Sequence, residues 1–242
     1  MTATVRSSAN DILNRVAVET GLDEVTDPFT SGDKNFVQMK ALLNIAGEEL
    51  CDLYDWEFLT RVHSIVTDSL DSGDYALPTD YLKMLNQTGW EAVNQNPLNG
   101  PLSAQEWRCL VASTVNSPIY VSFRLREGYF SILPQPVTDG LEISFEYQSR
   151  NWVIDSSDGT TKVQTCNDGA DIPLFDKTLI SRYLKVKWLE AKGLDSTKAQ
   201  ADLNQCFGLK TERDKGAPIL NVSSRRSGGL GNMNVPWTNY GS

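Results

Sequence analysis

The sequence is poor in the side chains that most enzymes use for chemistry. Its 242 residues include one histidine, His63, and four cysteines. The cysteines are scattered and form no C-x-x-C pair, so zinc spacing is absent and free thiols in a reducing compartment are expected. A GxSxG elbow, an HExxH pair and a P-loop are also missing. These absences predict a protein that is not an enzyme and carries no cofactor and no metal.

Long apolar runs and an excess of positive charge are missing too. No window approaches the roughly 18 apolar residues of a membrane-spanning helix, and the N-terminus lacks the apolar run of a signal peptide. We therefore expect no membrane partner. The formal net charge is −9, although the last 26 residues hold two arginines and no acid. Such an acidic body does not suit a general nucleic-acid binder, because phosphate contacts need a basic surface.

Helical patterns are present at both ends of the chain. In the first two segments apolar residues recur on one face, and a serine or aspartate stands where an N-cap is needed before every segment. The predicted helices cover about residues 8–20, 34–54, 176–192 and 196–214. Their candidate caps are Ser7 or Ser8, Asp33, Asp176, and Asp195 or Ser196.

The pattern between these helices changes to a period of two. IYVSFRL (119–125) and LEISFEYQ (141–148) alternate strictly, which predicts a half-buried antiparallel sheet. Ser103 and Glu106 form a capping-box pattern that predicts a short helix over 103–112. Further predicted elements are strands at 61–67, 74–78, 83–90 and 129–133, a single helical turn in PTDYL (78–82), and a polar turn-rich stretch at 155–171.

This order of elements predicts an α+β fold. A four-helix bundle-like domain would carry an inserted antiparallel β-rich module and an extended C-terminal tail. The helical, ring-forming domain is expected to be discontinuous, from residues 1–60 and 175–216. The β-rich insert would cover 61–174, and the docking tail 217–242.

Five acids, with no base among them, lie at the end of the second predicted helix: Glu48, Glu49, Asp52, Asp55 and Glu57. Negative charge there opposes the helix macrodipole, so a cationic partner is expected. The helix over 176–192 is basic, which predicts charge pairing within a chain or between subunits. The candidates are Glu48, Asp52 and Asp55 with Arg182, Lys185 and Lys187. The alternatives are solvated faces, or carboxylates that hydrolyse a glycosidic bond.

Three other features are weaker candidates for a site. His63 lies in an alternating strand and is interpreted as structural, although its pKa would suit a switch. The glycines of SGGLGN (227–232) neither follow a strand nor open a helix, so we do not predict a phosphate loop. Four acids could hold Ca²⁺, but EF-hand spacing is missing and solvated turn acids are favoured. These acids are Asp155, Asp158, Asp168 and Asp171.

The C-terminal tail is the one basic stretch of this acidic chain. Arg225 and Arg226 can pair with carboxylates of a partner, and Trp237 and Tyr240 can fill pockets on it. We predict that the tail folds when it docks on that partner. The alternative is a tail with no role.

Several local patterns accompany this element order, namely Leu77-Pro78-x-Asp80-Tyr81, Gly100-Pro101-Leu102 with Gln105-x-Trp107, and Asp214-Lys215-Gly216-Ala217-Pro218. Over roughly residues 8–220 the chain resembles the head-to-tail adaptors of short-tailed bacteriophages (podoviruses), also called connector or tail tubular A-like proteins. The tail carries no motif that matches the family.

The resemblance implies a virion structural protein without catalytic activity. It implies a homo-oligomeric, dodecameric ring beneath the portal protein at the head–tail junction, assembled in the host cytoplasm. The helical part would surround a channel for double-stranded DNA, and the C-terminal segment would dock on the portal. The β-rich part would face outward or toward the next tail component, a nozzle or tail tube. An acidic channel would let DNA slide during genome ejection. The alternatives are a tail-tube or nozzle subunit, a peptidoglycan glycoside hydrolase, and a glycan- or receptor-binding module.

Overall fold

The computed structural model describes residues 6–68, 72–112, 121–134 and 139–214. Within them the chain forms five α-helices and eleven β-strands, which confirms the α+β class. The helices are α1 (Ala9–Glu19), α2 (Lys34–Leu53), α3 (Ala104–Ala112), α4 (Lys177–Ala191) and α5 (Thr197–Asp214). The strands are β1 (Thr60–Val66), β2 (Asp74–Ala76), β3 (Tyr81–Met84), β4 (Trp90–Glu91), β5 (Asn96–Pro97), β6 (Ser122–Arg126), β7 (Tyr129–Leu133), β8 (Glu142–Ser149), β9 (Val153–Ile154), β10 (Lys162–Val163) and β11 (Ile172–Pro173).

The helices begin at side chains that accept hydrogen bonds from free backbone amides of the first turn. Ser8 caps α1, Asp33 caps α2 and Asp176 caps α4, at donor–acceptor distances of 3.2, 2.8 and 2.9 Å. Ser103 and Glu106 exchange hydrogen bonds at the start of α3, as the capping box predicts. The capping residues predicted for these helices are therefore confirmed.

Helix α4 lies at the centre of the helical core. It contacts α1, α2 and α5, and its Leu179, Ile180 and Leu184 are buried against them. The same core contains Trp56, from the segment that joins α2 to β1. Four helices therefore share one core, while a regular four-helix bundle stays a prediction.

The segment between β8 and α4 adds to this helical core. Strands β10, β9 and β11 form a small antiparallel sheet, and β10 lies within the stretch at 155–171 where the sequence predicted only turns. Trp152 is fully buried beside α2, and a Cβ atom on Gly47 would lie 2.1 Å from its ring. Glycine at 47 therefore leaves the space that the indole fills.

Two antiparallel sheets form a second core. In the first, β8 pairs with β1 on one side and with β3 and β4 on the other, and β4 pairs with β5. The second has the order β2-β7-β6. The rings of Phe123, Phe130 and Phe145 stack between them, with centroids 4.7 and 4.9 Å apart. The predicted alternation of β8 is confirmed, because Ile143 and Tyr147 are buried beside Phe145.

Two local predictions were wrong. PTDYL does not form a helical turn: Thr79 and Asp80 form a turn, and β3 begins at Tyr81. The strand predicted over 83–90 is divided between β3 and β4 by a turn at residues 86–87. The proposed domain boundaries at residues 60, 175 and 217 stay predictions.

Candidate functional site

The residues predicted to form a site are divided between α2 and α4, and one acid of α2 reaches α4 directly. Lys187 Nζ lies 2.6 Å from Glu49 Oε2, and the hydroxyl of Tyr183 donates to the same oxygen at 2.6 Å. Helical spacing places residues 183 and 187 on one face of α4, one turn apart. The basic helix α4 therefore forms an ion pair with the acidic end of α2 within the chain, and the acid in that pair is Glu49.

The hydrogen bonds of Glu49 keep it ionised. Burial alone would raise its pKa, but the hydrogen bonds from Lys187 and Tyr183 outweigh burial and lower the pKa. Burial and the neighbouring carboxylate raise the pKa of Tyr183. A glycosidase needs a carboxylic acid with a raised pKa beside a second carboxylate. A Glu49 carboxylate that is ionised and held by a lysine does not suit that role.

Two other cations of α4 also have partners within the chain. Lys185 Nζ lies 3.1 Å from Glu19 Oε2 at the end of α1. Arg182 Nη1 donates to the backbone oxygen of Asp202 in α5 at 2.8 Å. The exposed acids Glu48 and Asp52 form no ion pair with α4 in the described part of the chain. Pairing of the predicted residues between subunits stays a prediction.

The cation that reaches the C-terminus of α2 comes from a strand. Lys83 Nζ of β3 lies 2.8 Å from Asp55 Oδ1 and 3.4 Å from the backbone oxygen of Asp52. A cation at this position interacts favourably with the helix macrodipole and with the acids around it. Sequence reasoning missed Lys83, because only the register of β3 against β8 brings it near α2.

Asp80, which belongs to the Leu-Pro-x-Asp-Tyr pattern, organises the end of β8. Its two carboxylate oxygens accept hydrogen bonds from Tyr147 at 2.9 Å and Ser149 at 2.6 Å, and Arg61 Nε lies 3.6 Å away. Burial would raise the pKa of Asp80, but these hydrogen bonds and the charge of Arg61 lower it. Burial and Asp80 together raise the pKa of Tyr147 to about 12. The pattern that suggested a family thus has a structural role.

The Gly-Pro-Leu pattern also has a structural explanation. A Cβ on Gly100 would lie 2.5 Å from the backbone oxygen of Phe123, and its φ of +151° favours glycine. The amide of Leu102 donates to the same oxygen at 2.9 Å. A cleft of about 310 Å³ lies beside this crossing, lined by Tyr81–Gln87, Gly89, Leu98, Gly100, Pro101, Phe123 and Leu125.

The remaining candidates are structural in the described part of the chain. The ring of His63 packs on Phe145, and burial lowers its pKa. The carboxylate of Asp171 accepts backbone hydrogen bonds from Ser156, Asn167 and Asp168. The other three loop acids accept backbone amides in their own turns. Across the described ranges, no group of three His, Cys, Asp or Glu side chains could hold a metal ion.

The predicted docking residues of the tail, Arg225, Arg226, Trp237 and Tyr240, lie outside the described residues. In the chain up to that point, Asp214 Oδ2 accepts the backbone amide of Glu57 at 2.8 Å, so the end of α5 lies beside the start of the β-rich region. None of the helices within the described ranges combines the length and the apolar character that a membrane crossing requires.

In the described part of the chain, ion pairs join α2 to α4 and the segment just after α2 to β3. Residues 7–222 match the family described as SU10 adaptor protein. This match spans most of the chain, and the chain therefore belongs to the SU10 adaptor protein family. It is a phage structural adaptor, which confirms the resemblance at that level, while assignment to short-tailed phages stays a prediction. No curated protein matches the chain at a significant level.

Proposed function

We propose that the protein is the head-to-tail adaptor of a short-tailed phage, and that it forms a dodecameric ring beneath the portal. The ring would continue the DNA channel and offer a surface to the next tail component. The observation that carries this proposal is the adaptor family match over residues 7–222. The net charge of −9 is consistent with a channel that lets DNA pass without holding it.

Electron microscopy of the purified protein, with and without isolated portal, tests this function. We expect closed rings that bind the portal end-on. Rings that appear only with portal would mean that the portal templates assembly. Stacking of the protein into long tubes, with no affinity for portal, would contradict the proposal and favour a tail-tube subunit.

We further propose that the ring contact pairs the exposed acids of α2 with α4 of the next copy. A ring contact is heterologous, so two different faces of one subunit must match. Glu48 and Asp52 are exposed, while Asp55, Lys185 and Lys187 already have partners within the chain. Arg182 is the best candidate across the contact, because its guanidinium has five N–H donors and one of them is used for Asp202.

Charge reversal tests this contact. We expect Asp52→Lys or Arg182→Glu to weaken ring formation and the combined variant to restore part of it, since the pair is re-formed with opposite sign. Glu24→Lys changes an exposed acid between α1 and α2 and serves as the control. Rings of normal stability from both single variants, at low and high salt, would exclude the contact.

The tail is proposed to dock on the portal through Arg225, Arg226, Trp237 and Tyr240. Deletion of residues 225–242 should then weaken portal binding while the folded body remains intact. Portal binding equal to that of the full chain would contradict docking by the tail. A matched variant with both arginines and both aromatic residues changed to serine separates the side chains from the length of the tail.

A further inference from the structure

Strand β1 leaves one edge of its sheet open. It pairs over seven residues with β8, from Thr60 opposite Gln148 to Val66 opposite Glu142. On its other edge, no strand of residues 6–68, 72–112, 121–134 or 139–214 pairs with it. An open edge presents a row of unpaired donors and acceptors, which is a template for another strand.

The direction of the backbone groups follows from the other side of β8. The amide of Leu85 donates to the backbone oxygen of Glu146 at 2.9 Å, and the amide of Ala92 donates to that of Glu142 at 2.8 Å. Backbone groups of Glu142 and Glu146 therefore point away from β1. In an antiparallel pair, the opposite residues Val62 and Val66 must then direct their own N–H and C=O groups to the open edge. Ser64, halfway between them, does the same.

The side chains of these edge residues face solvent on one side of the sheet. Val62 is 65% exposed and Val66 is 68% exposed, although valine is usually buried in a strand. Glu146 stands opposite Val62, and Glu142 stands opposite Val66. Neither glutamate forms an ion pair within the described part of the chain. Two unpaired carboxylates thus lie one strand behind two exposed valines.

Features that protect other sheet edges are missing from β1. Sheet edges are usually guarded by lysine, proline, a bulge or a very short strand. The edge of β6 is covered where Asn99 and Leu102 exchange backbone hydrogen bonds with Val121 and Phe123. Strand β2 has only three residues, and β5 ends in Pro97. β1 is long and regular and has neither proline nor lysine, and its one arginine, Arg61, lies 3.6 Å from Asp80 Oδ2.

We propose that the open edge of β1 binds an extended segment of a protein partner that carries lysine or arginine at alternate positions. Its backbone would pair with Val62, Ser64 and Val66, as in other cases of strand addition. Neighbouring strands lie about 4.8 Å apart, so the glutamates are roughly 10 Å from the added strand. A long basic side chain spans that gap, because its aliphatic stem covers a valine while its charged end reaches Glu142 or Glu146.

Amide exchange of the full-length, isotopically labelled protein tests this binding with two synthetic peptides of seven residues, the length of β1. One alternates lysine and valine, and the other alternates glutamate and valine. The lysine peptide should slow exchange at Val62, Ser64 and Val66, while Arg61, His63 and Ile65, which face β8, remain unchanged. The glutamate peptide should have no effect. Equal protection by both peptides, or by neither, would overturn the proposal.

Two variants locate the contacts. Glu142→Lys with Glu146→Lys should weaken binding of the lysine peptide about tenfold or more, because two attractive charges become repulsive. Asp23→Lys with Glu24→Lys changes the net charge equally at exposed sites between α1 and α2 and should leave binding unchanged. Ser64→Pro removes an outward donor without touching the bonds to β8 and should abolish protection.

Protection of the same amides that rises with protein concentration, without peptide, would assign the edge to a second copy of the chain and overturn the basic partner. The proposal would also be overturned if the variant with Glu142→Lys and Glu146→Lys bound the lysine peptide as tightly as the unchanged chain does. Binding at this edge needs only the folded chain. A negative result for binding at this edge would therefore not count against the proposed adaptor ring. A negative result for the ring would not count against binding at this edge.

Discussion

The helical core and the β-rich core differ in how their elements are joined and in how much of their surface stays exposed. The helical core draws on distant parts of the chain, and its central helix α4 is joined to α1, α2 and α5 through Lys185, Lys187 and Arg182. The β-rich core stacks two small sheets around three phenylalanines, and no described strand pairs with the outer edge of β1. Helix α3, attached to that region, buries none of its residues. Cations of α4 thus pair with other helices of the same chain, while α3 and the valines of β1 in the β-rich region remain exposed in the described part of the chain.

The largest effect should come from the centre of the phenylalanine stack. Phe130 is fully buried between Phe123 and Phe145, so Phe130→Ala leaves a cavity and should cost about 3–5 kcal/mol of unfolding free energy. Tyr129→Ala, at the neighbouring position and 49% exposed, should cost far less. Urea denaturation measures both. A loss below about 1 kcal/mol for Phe130→Ala would mean that the stack is not a core.

The same variant tests whether the two cores unfold separately. Hydrogen exchange of Phe130→Ala should be faster in β6 and β7 and nearly unchanged in α1, α2 and α4 if the regions are independent. Equal acceleration in the helices would mean that one cooperative unit contains both cores, and would contradict the predicted domain boundaries.

Two glycine-to-alanine variants test how tightly the helices of the helical core are packed. Gly47→Ala forces a methyl group into the Trp152 ring and should destabilise by about 1–3 kcal/mol, because the indole is fully buried. Gly208→Ala places its methyl group where no heavy atom lies within 4 Å. That change should stabilise by about 0.5–1 kcal/mol, since alanine favours a helix. Thermal denaturation measures both variants. Melting temperatures that shift in the same direction for both would contradict this packing.

Low pH should destabilise the loop over residues 155–171, which packs on the helical core. Burial would raise the pKa of Asp171, but backbone hydrogen bonds outweigh burial and lower the pKa below the usual value of an aspartate. The stability that this carboxylate contributes is present above its unfolded pKa and is lost as pH falls through the folded pKa. Asp171→Asn should therefore cost about 1–2 kcal/mol at neutral pH and less below pH 4, by urea denaturation. Asp23→Asn, at an exposed site, is the control, and an equal cost at both pH values would contradict the assignment.

The smallest effect is expected at the contact between the two regions. Lys83 and Asp55 are both more than a third exposed, so Lys83→Met should cost about 0–1 kcal/mol. Lys34→Met, on the exposed first turn of α2, is the matched control. A loss well above that of the control, reduced by salt, would show that Lys83 contributes more to joining the cores than its exposure suggests.

Local patterns were the most reliable guide to this fold. Caps at Ser8, Asp33 and Asp176, and the capping box at Ser103, each depend on side chains within three residues of the amides they bind. The alternation of β8 depends on one buried face. The small sheet of β9, β10 and β11 was missed, because strands of two residues carry too little pattern to be distinguished from turns.

The sequence by itself determined the α+β order, the helix starts, the acidic charge of the body and the family-like motifs, because these depend on neighbours along the chain. Only the tertiary structure decided which charges meet. It paired Lys187 with Glu49 and Lys83 with Asp55, and it placed Trp152 against Gly47. It also left Val62 and Val66 exposed on an edge with which no described strand pairs. Such outcomes depend on strand register and helix packing, which bring together residues far apart in sequence.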